Sequence, residues 1–137
     1  MKMQEHVRSQ TAALLRRLAF EVNRAAKSCD EEAVHDLRVA IRRLSRCLQV
    51  FAQFYPDGSA KKIRRRLKTL MDPAGAVRDL DVAMDLVGDA GVDRKAHLSY
   101  RLAEARRQAK RNLEREVRRW KGSSFFKKWR STLGLNA

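Results

Sequence analysis

The sequence predicts an all-α fold: an antiparallel four-helix bundle with a short fifth helix at its C-terminal end. Three observations predict it. Apolar residues recur at spacings of three and four along nearly the whole chain, and β-branched residues never alternate over a strand's length. The only prolines, Pro56 and Pro73, both stand where a helix should break. The stretches joining the periodic segments are short, which makes consecutive helices antiparallel neighbours. No linker divides the 137 residues, so residues 1–137 form one domain with room for a real core.

The first helix is expected from about Gln4 to Lys27. Val7, Ala12, Leu14, Leu15, Leu18, Phe20 and Val22 give it a broad apolar side. Ser28-Cys29-Asp30 connects it to the second helix. There Asp30 suits an N-cap, and Glu31 and Glu32 suit the positive end of the helix dipole. The second helix runs to about Tyr55, and Pro56-Asp57-Gly58 turns the chain. The third begins near Ser59 with Ile63, Leu67 and Leu70. Asp72-Pro73-Ala74-Gly75 should kink or break it, and it resumes through Val77, Leu80, Met84 and Val87. Gly88-Asp89-Ala90-Gly91 closes it. The fourth runs from about Asp93 to Trp120 along Leu98, Leu102, Ala105, Ala109, Leu113 and Val117. Gly122-Ser123-Ser124 stops it, and Phe125 to Leu133 reads as a short amphipathic helix.

Charge narrows the function. There are 31 Lys+Arg against 16 Asp+Glu, a formal net charge of +15. Self-repulsion on that scale opposes folding and points to an anionic partner: nucleic acid, anionic lipid or inorganic polyphosphate. Aromatic residues are 7% of the chain, too few for a surface that stacks many unpaired bases. Hydrophobic residues are 44%, which excludes a disordered basic tail. Cys29 and Cys47 lie in no zinc-ligand spacing and read as free thiols of a reducing, cytoplasmic compartment. MKMQEHVRSQ has no apolar core of a signal peptide, and no run reaches membrane-spanning length. No membrane partner and no cofactor are expected.

The second helix carries two adjacent stripes. Val34, Leu37, Ile41, Leu44, Leu48 and Phe51 form the core seam. His35, Arg38, Arg42 and Ser45 repeat the spacing one residue on, about 100° around the helix. A stripe on the shoulder of the seam borders a groove between helices, and Arg43 and Arg46 add to its charge. The third helix answers with Lys61, Arg64, Arg65, Lys68 and Arg78 and has no acid between Lys61 and Lys68. On the fourth, Arg101, Arg111, Arg115 and Arg118 share one side and Arg106, Arg107 and Lys110 another. Glu104, Glu114 and Glu116 are interleaved, and spacing leaves open which side faces a groove. His35 has no second histidine at ligand spacing, so no metal is expected there. Asp79 and Asp81 follow Arg78 at positions that do not face one another, and one or the other reads as an anchor for nearby arginines. Nothing supplies a nucleophile, a Gly-rich phosphate loop or a Glu-x-x-His motif.

VHDLRVAIRRL followed by GAVRDLDV resembles the CHAD family, named for a conserved histidine in an α-helical domain. His35 matches the histidine of the name, Arg38, Arg42 and Arg43 the arginines after it, and Arg78 the arginine of the family's Arg-Asp-x-Asp motif. The tail GSSFFKKWRSTL is similar to the family's segment after the fourth helix. The resemblance implies a helical domain that binds inorganic polyphosphate in a basic groove, associates with polyphosphate granules and performs no catalysis. Family members are usually about twice as long, with two related bundles facing each other. A homodimer about a twofold axis would replace the missing half. Ser45 stands where many relatives place an arginine, and Ala74 where leucine is commoner. The residues themselves agree: a line of guanidinium forks suits a chain of phosphates with no bases to read. The alternatives are a helical protein that binds RNA or DNA backbones, for which nucleic acid is the competing polyanion, and a phosphohydrolase using Asp79 and Asp81.

Overall fold

The computed structural model describes residues 2–90 and 96–135. They form helices α1 (Met3–Lys27), α2 (Glu31–Val50), α3 (Ser59–Ala90), α4 (Ala96–Lys121) and α5 (Phe125–Thr132), with a 3-10 turn at Ala52–Phe54. There is no strand among the described residues, so the all-α expectation holds.

α1 packs on α2 and α4, and α3 packs on α2 and α4, which makes a ring of four. Cross-helix contacts give the directions. Arg24, near the end of α1, meets Asp36 near the start of α2 at 2.6 Å, whereas Thr11 of early α1 meets Tyr55 beyond the end of α2 at 2.7 Å. Arg78 of late α3 reaches Glu31 at the start of α2 at 3.3 Å. Asp81 of α3 is paired with Arg106 of α4, and Arg66 lies over the Trp120 ring at 5.3 Å.

The core draws on every helix. Leu15, Leu18, Leu37, Leu44, Leu48, Ile63, Leu67, Leu70, Leu113, Trp120 and Leu133 are fully buried. Each such leucine contributes about 1.5–3 kcal/mol by leaving water. α5 seals one end through an edge-to-face cluster of Trp120, Phe125 and Trp129, with ring centroids 5.1 to 5.3 Å apart.

The α1 seam differs from expectation. Phe20 is 58% exposed, with the Arg17 guanidinium 5.6 Å from its ring. Thr11 and Glu21 are buried instead, because they share the spacing of Val7, Leu15, Leu18, Val22 and Ala25. Thr11 is satisfied by its neighbours, whereas Glu21 keeps one buried oxygen, Oε1, that accepts no hydrogen bond among the described residues and has the Arg24 guanidinium at 3.5 Å. Thr11 donates its hydroxyl hydrogen to the Val7 carbonyl at 2.7 Å, so the Tyr55 hydroxyl donates to Thr11. Arg17 donates to Glu21 at 2.8 Å.

Asp30 caps α2 as expected, accepting from the Ala33 N–H at 2.8 Å. α2 ends at Val50, five residues before the predicted Tyr55. Tyr55 must take an extended conformation ahead of Pro56, which a helix forbids. α3, by contrast, is helical through Pro73, where a kink or break was expected, and it is not broken. The proline removes one backbone donor, that for the Thr69 carbonyl, while Leu70, Ala74 and Val77 hold both flanking turns in the core. The expected start of α4 at Asp93 lies outside the described residues. Leu98 and Ala105 of its predicted seam are exposed. Because Arg78 is already level with the start of α2, the end of α3 extends past it, and there Met84 of α3 and Leu102 of α4 line a common recess.

Candidate functional site

α2 and α3 lie side by side, and their facing shoulders enclose a groove of about 320 Å³. Arg42, Ser45, Arg46 and Gln49 come from α2, and Arg64, Lys68 and Met71 from α3, over a floor of Ile41 and Leu67. No acidic residue is in this lining. Lys68 alone is engaged, by Asp72 one turn on at 3.0 Å on the exposed rim. Arg38 and Arg64 are half-buried in the helix interface. Their Nε–H groups are buried and find no acceptor among the described residues. The cations of this region, Arg38, Arg42, Arg43, Arg46, Lys61, Arg64 and Arg65, form no ion pair among the described residues. Their positive charge is therefore uncompensated, and arginine forks in that state are donors for a multiply charged oxyanion.

The basic surface does not stop at the groove. Leu14, Val39, Arg42, Arg43 and Arg46 form a shallow saddle over the outer face of α2. The saddle leads into a recess between α1 and α2 of about 260 Å³, lined in part by Arg17, Glu21, His35, Asp36 and Arg43. His35 is here, exposed at the α1–α2 boundary and outside the lining of the groove that holds Arg64. The recess also holds two carboxylates, Glu21 tied to Arg17 and Asp36 tied to Arg24. It is much less positive than the groove.

The remaining predicted residues are dispersed. Lys61 is exposed on α3, and Arg65 lies in a separate recess between α3 and α5. Arg78 is held by Glu31 at 3.3 Å. Arg101 and Arg111 are on α4, which faces α1 and α3 rather than α2, so the fold does not bring them to the groove. Arg111 donates to Gln108 on its own helix at 2.8 Å. Of the two aspartates, Asp81 is buried and anchors Arg106, while Asp79 is exposed. Sequence spacing missed Gln49 and Met71, which complete the groove walls, and the buried Glu21 under the His35 recess. The signal for Glu21 was its place on the α1 seam.

Burial shapes the two thiols and one phenol. The Cys29 thiol is pushed up to about 11, by burial first and the Glu114 charge second. Tyr55 is raised as well, again chiefly by burial. Both cysteines are free and buried. Among the described residues no three or more His, Cys, Asp and Glu side chains are grouped to hold a metal ion, and no helix is long and apolar enough to cross a membrane.

No curated protein and no solved structure matches the chain. A protein family does: the CHAD domain matches residues 9–134, which include all of the groove, the saddle and the His35 recess. That span is nearly the whole sequence, and the chain belongs to the CHAD family.

Proposed function

We propose that this chain binds inorganic polyphosphate without catalysis, in the α2–α3 groove and over the α2 saddle. CHAD domains are associated with polyphosphate binding in general. The observation that carries the reading here is the lining itself: Arg42, Arg46, Arg64 and Lys68 converge with no acid among them. Each phosphate brings about one negative charge and several acceptor oxygens, and each fork can meet two of them. Arg43 continues the path over the saddle toward His35, whose imidazole would donate to a phosphate oxygen in the α1–α2 recess. Asp81 serves the fold by holding Arg106, which argues against a hydrolytic role for it.

The reading extends to a homodimer and to residence at polyphosphate granules. Two copies each carrying +15 repel one another, and a polyanion lying between them removes that repulsion. The mass of the particle in solution should therefore rise when long-chain polyphosphate is added.

The deciding experiment is competition binding at near-physiological salt. Labelled long-chain polyphosphate is set against duplex DNA and structured RNA, for the wild type and for Arg42→Ala/Arg46→Ala. Polyphosphate should win, and the variant should stay folded and lose about tenfold or more in affinity, since each charge-assisted contact is worth about 1.5–3 kcal/mol. If nucleic acid wins and the variant binds normally, the groove is not the site and the exposed arginines of α4 carry a backbone-binding function.

A further inference from the structure

The charges of α3 run against its own dipole. Lys61 and Lys62 stand in its first turn and Asp89 in its last, although a helix favours acids at its start and cations at its end. From Lys61 to Lys68 there are six cations and no acid. From Asp79 to Ala90 there are four aspartates and no cation. Of those aspartates Asp81 is held by Arg106. Asp79, Asp85 and Asp89 are exposed and, like Lys61 and Arg65, form no ion pair among the described residues. The helix is a rod with one basic and one acidic half.

One outward face unites the two halves. It begins with Lys61, Arg65 and Lys68, at spacings of four and three. The same alternation continues through Asp72, Gly75 and Asp79 and ends in Val82, Leu86 and Asp89. Gly75 is half-buried and the others are exposed. A line of that period stays in register only against a second helix that coils with it. Two features of the line have no use inside one chain. Val82 and Leu86 are 39% and 64% exposed, an apolar pair one turn apart. Gly75 stands in mid-helix, where glycine is less stable than alanine, yet an added Cβ would meet nothing within 4 Å. The missing side chain serves a backbone approaching from outside.

We propose that two copies of this chain pair through the outward face of α3, with the helices antiparallel about a twofold axis level with Val77. The acidic half of each helix then lies along the basic half of the other. Asp85 and Asp89 meet Lys61 and Arg65 of the partner subunit, and the aliphatic stem of Lys68 of the partner subunit covers Leu86. Gly75 lies near the axis and lets the backbones approach. Each contact occurs twice, as twofold symmetry requires. A parallel pair would set like charges together along its whole length. The net charge of +15 on each copy opposes association, but physiological salt screens it beyond about 8 Å and leaves the contacts within the interface in force. The pairing gives a face to the homodimer of the proposed function, rests on that part of it alone and needs no polyphosphate. Lys68 is the one residue of this face that also lines the α2–α3 groove.

The test is sedimentation of the full chain over a range of concentrations, at near-physiological salt and with no polyanion present. The wild type should approach twice the monomer mass. Asp85→Lys/Asp89→Lys and Lys61→Glu/Arg65→Glu alter exposed side chains only, and circular dichroism should show both folded. Each alone should associate about tenfold or more weakly, because like charges then meet at both ends. Mixed in equal amounts they should pair as a heterodimer, because opposite charges meet at both ends again. Gly75→Leu changes no charge and should also prevent pairing. A wild type that stays monomeric at every concentration would overturn the proposal. So would either charge variant pairing as the wild type does, a mixture that forms no heterodimer, or normal pairing in Gly75→Leu. Arg42→Ala/Arg46→Ala should pair normally while losing polyphosphate, so failure of the groove and failure of this interface are read separately.

Discussion

Cys29 shows how far burial changes the chemistry of one residue. Its ordinary value of 9.0 is pushed up to about 11, so the folded chain holds the neutral thiol where the unfolded chain releases its proton. An acid whose folded value is raised stabilises the fold fully below its unfolded value. That contribution is lost as pH rises from about 9 toward 11. Tyr55 acts in the same direction from a higher starting point. The urea midpoint should therefore fall as pH is raised above 9, and it should fall less steeply in Cys29→Ala. A midpoint that is flat in that range would contradict the burial argument. At neutral pH, Cys29 should resist alkylation until the chain is unfolded. None of this was legible from spacing, which placed Cys29 only near a helix end.

At the scale of elements, α2 was the most legible and its N-terminus is the most easily tested. Asp30→Ala removes the acceptor for the Ala33 N–H and should cost about 1 kcal/mol, read as a lower melting temperature with the helix content unchanged. Pro73 gives the opposite expectation. Pro73→Ala returns a backbone donor to the carbonyl of Thr69 within an unbroken α3 and should raise the melting temperature. A lower one would mean that the ring is itself required by its packing. Sequence reading located α2 because seam, cap and acidic first turn all agreed there. It left a break of α3 at Pro73 open, and none occurs, because a local penalty of about 3 kcal/mol is smaller than what the buried residues on either side supply together. It misplaced Phe20 on α1 for a related reason: a helix has one seam, and the apolar residues beside it stay in solvent unless a neighbour covers them.

At the scale of the whole molecule, charge sets the expected behaviour. Polyphosphate affinity should fall linearly on a log–log plot against salt, and Arg42→Ala/Arg46→Ala should reduce the slope by about one to two, as counterion release predicts for two lost contacts. An unchanged slope would show that these arginines touch no phosphate. The net charge of +15 is spread unevenly. The α2–α3 groove has four cations and no acid, whereas the recess of His35 mixes Arg17 and Arg43 with Glu21 and Asp36. The far ends of α3 and α4 are different again, exposing the apolar side chains of Val82, Leu86, Leu98 and Tyr100.

The sequence by itself determined the all-α class, the order of the five helices, the seam and cap of α2, and the family through its two motifs. Those properties are local, since periodicity, capping and turn chemistry act within a few residues along the chain. The tertiary structure alone decided which cations share a surface. Arg42 meets Arg64 because α2 and α3 are adjacent. Arg101 and Arg111 are excluded because α4 is diagonal to α2, and Arg65 turns to the α5 side of its helix. A helical stripe fixes an angle around its own axis, but the neighbour at that angle is chosen by packing the apolar seams of all the helices together.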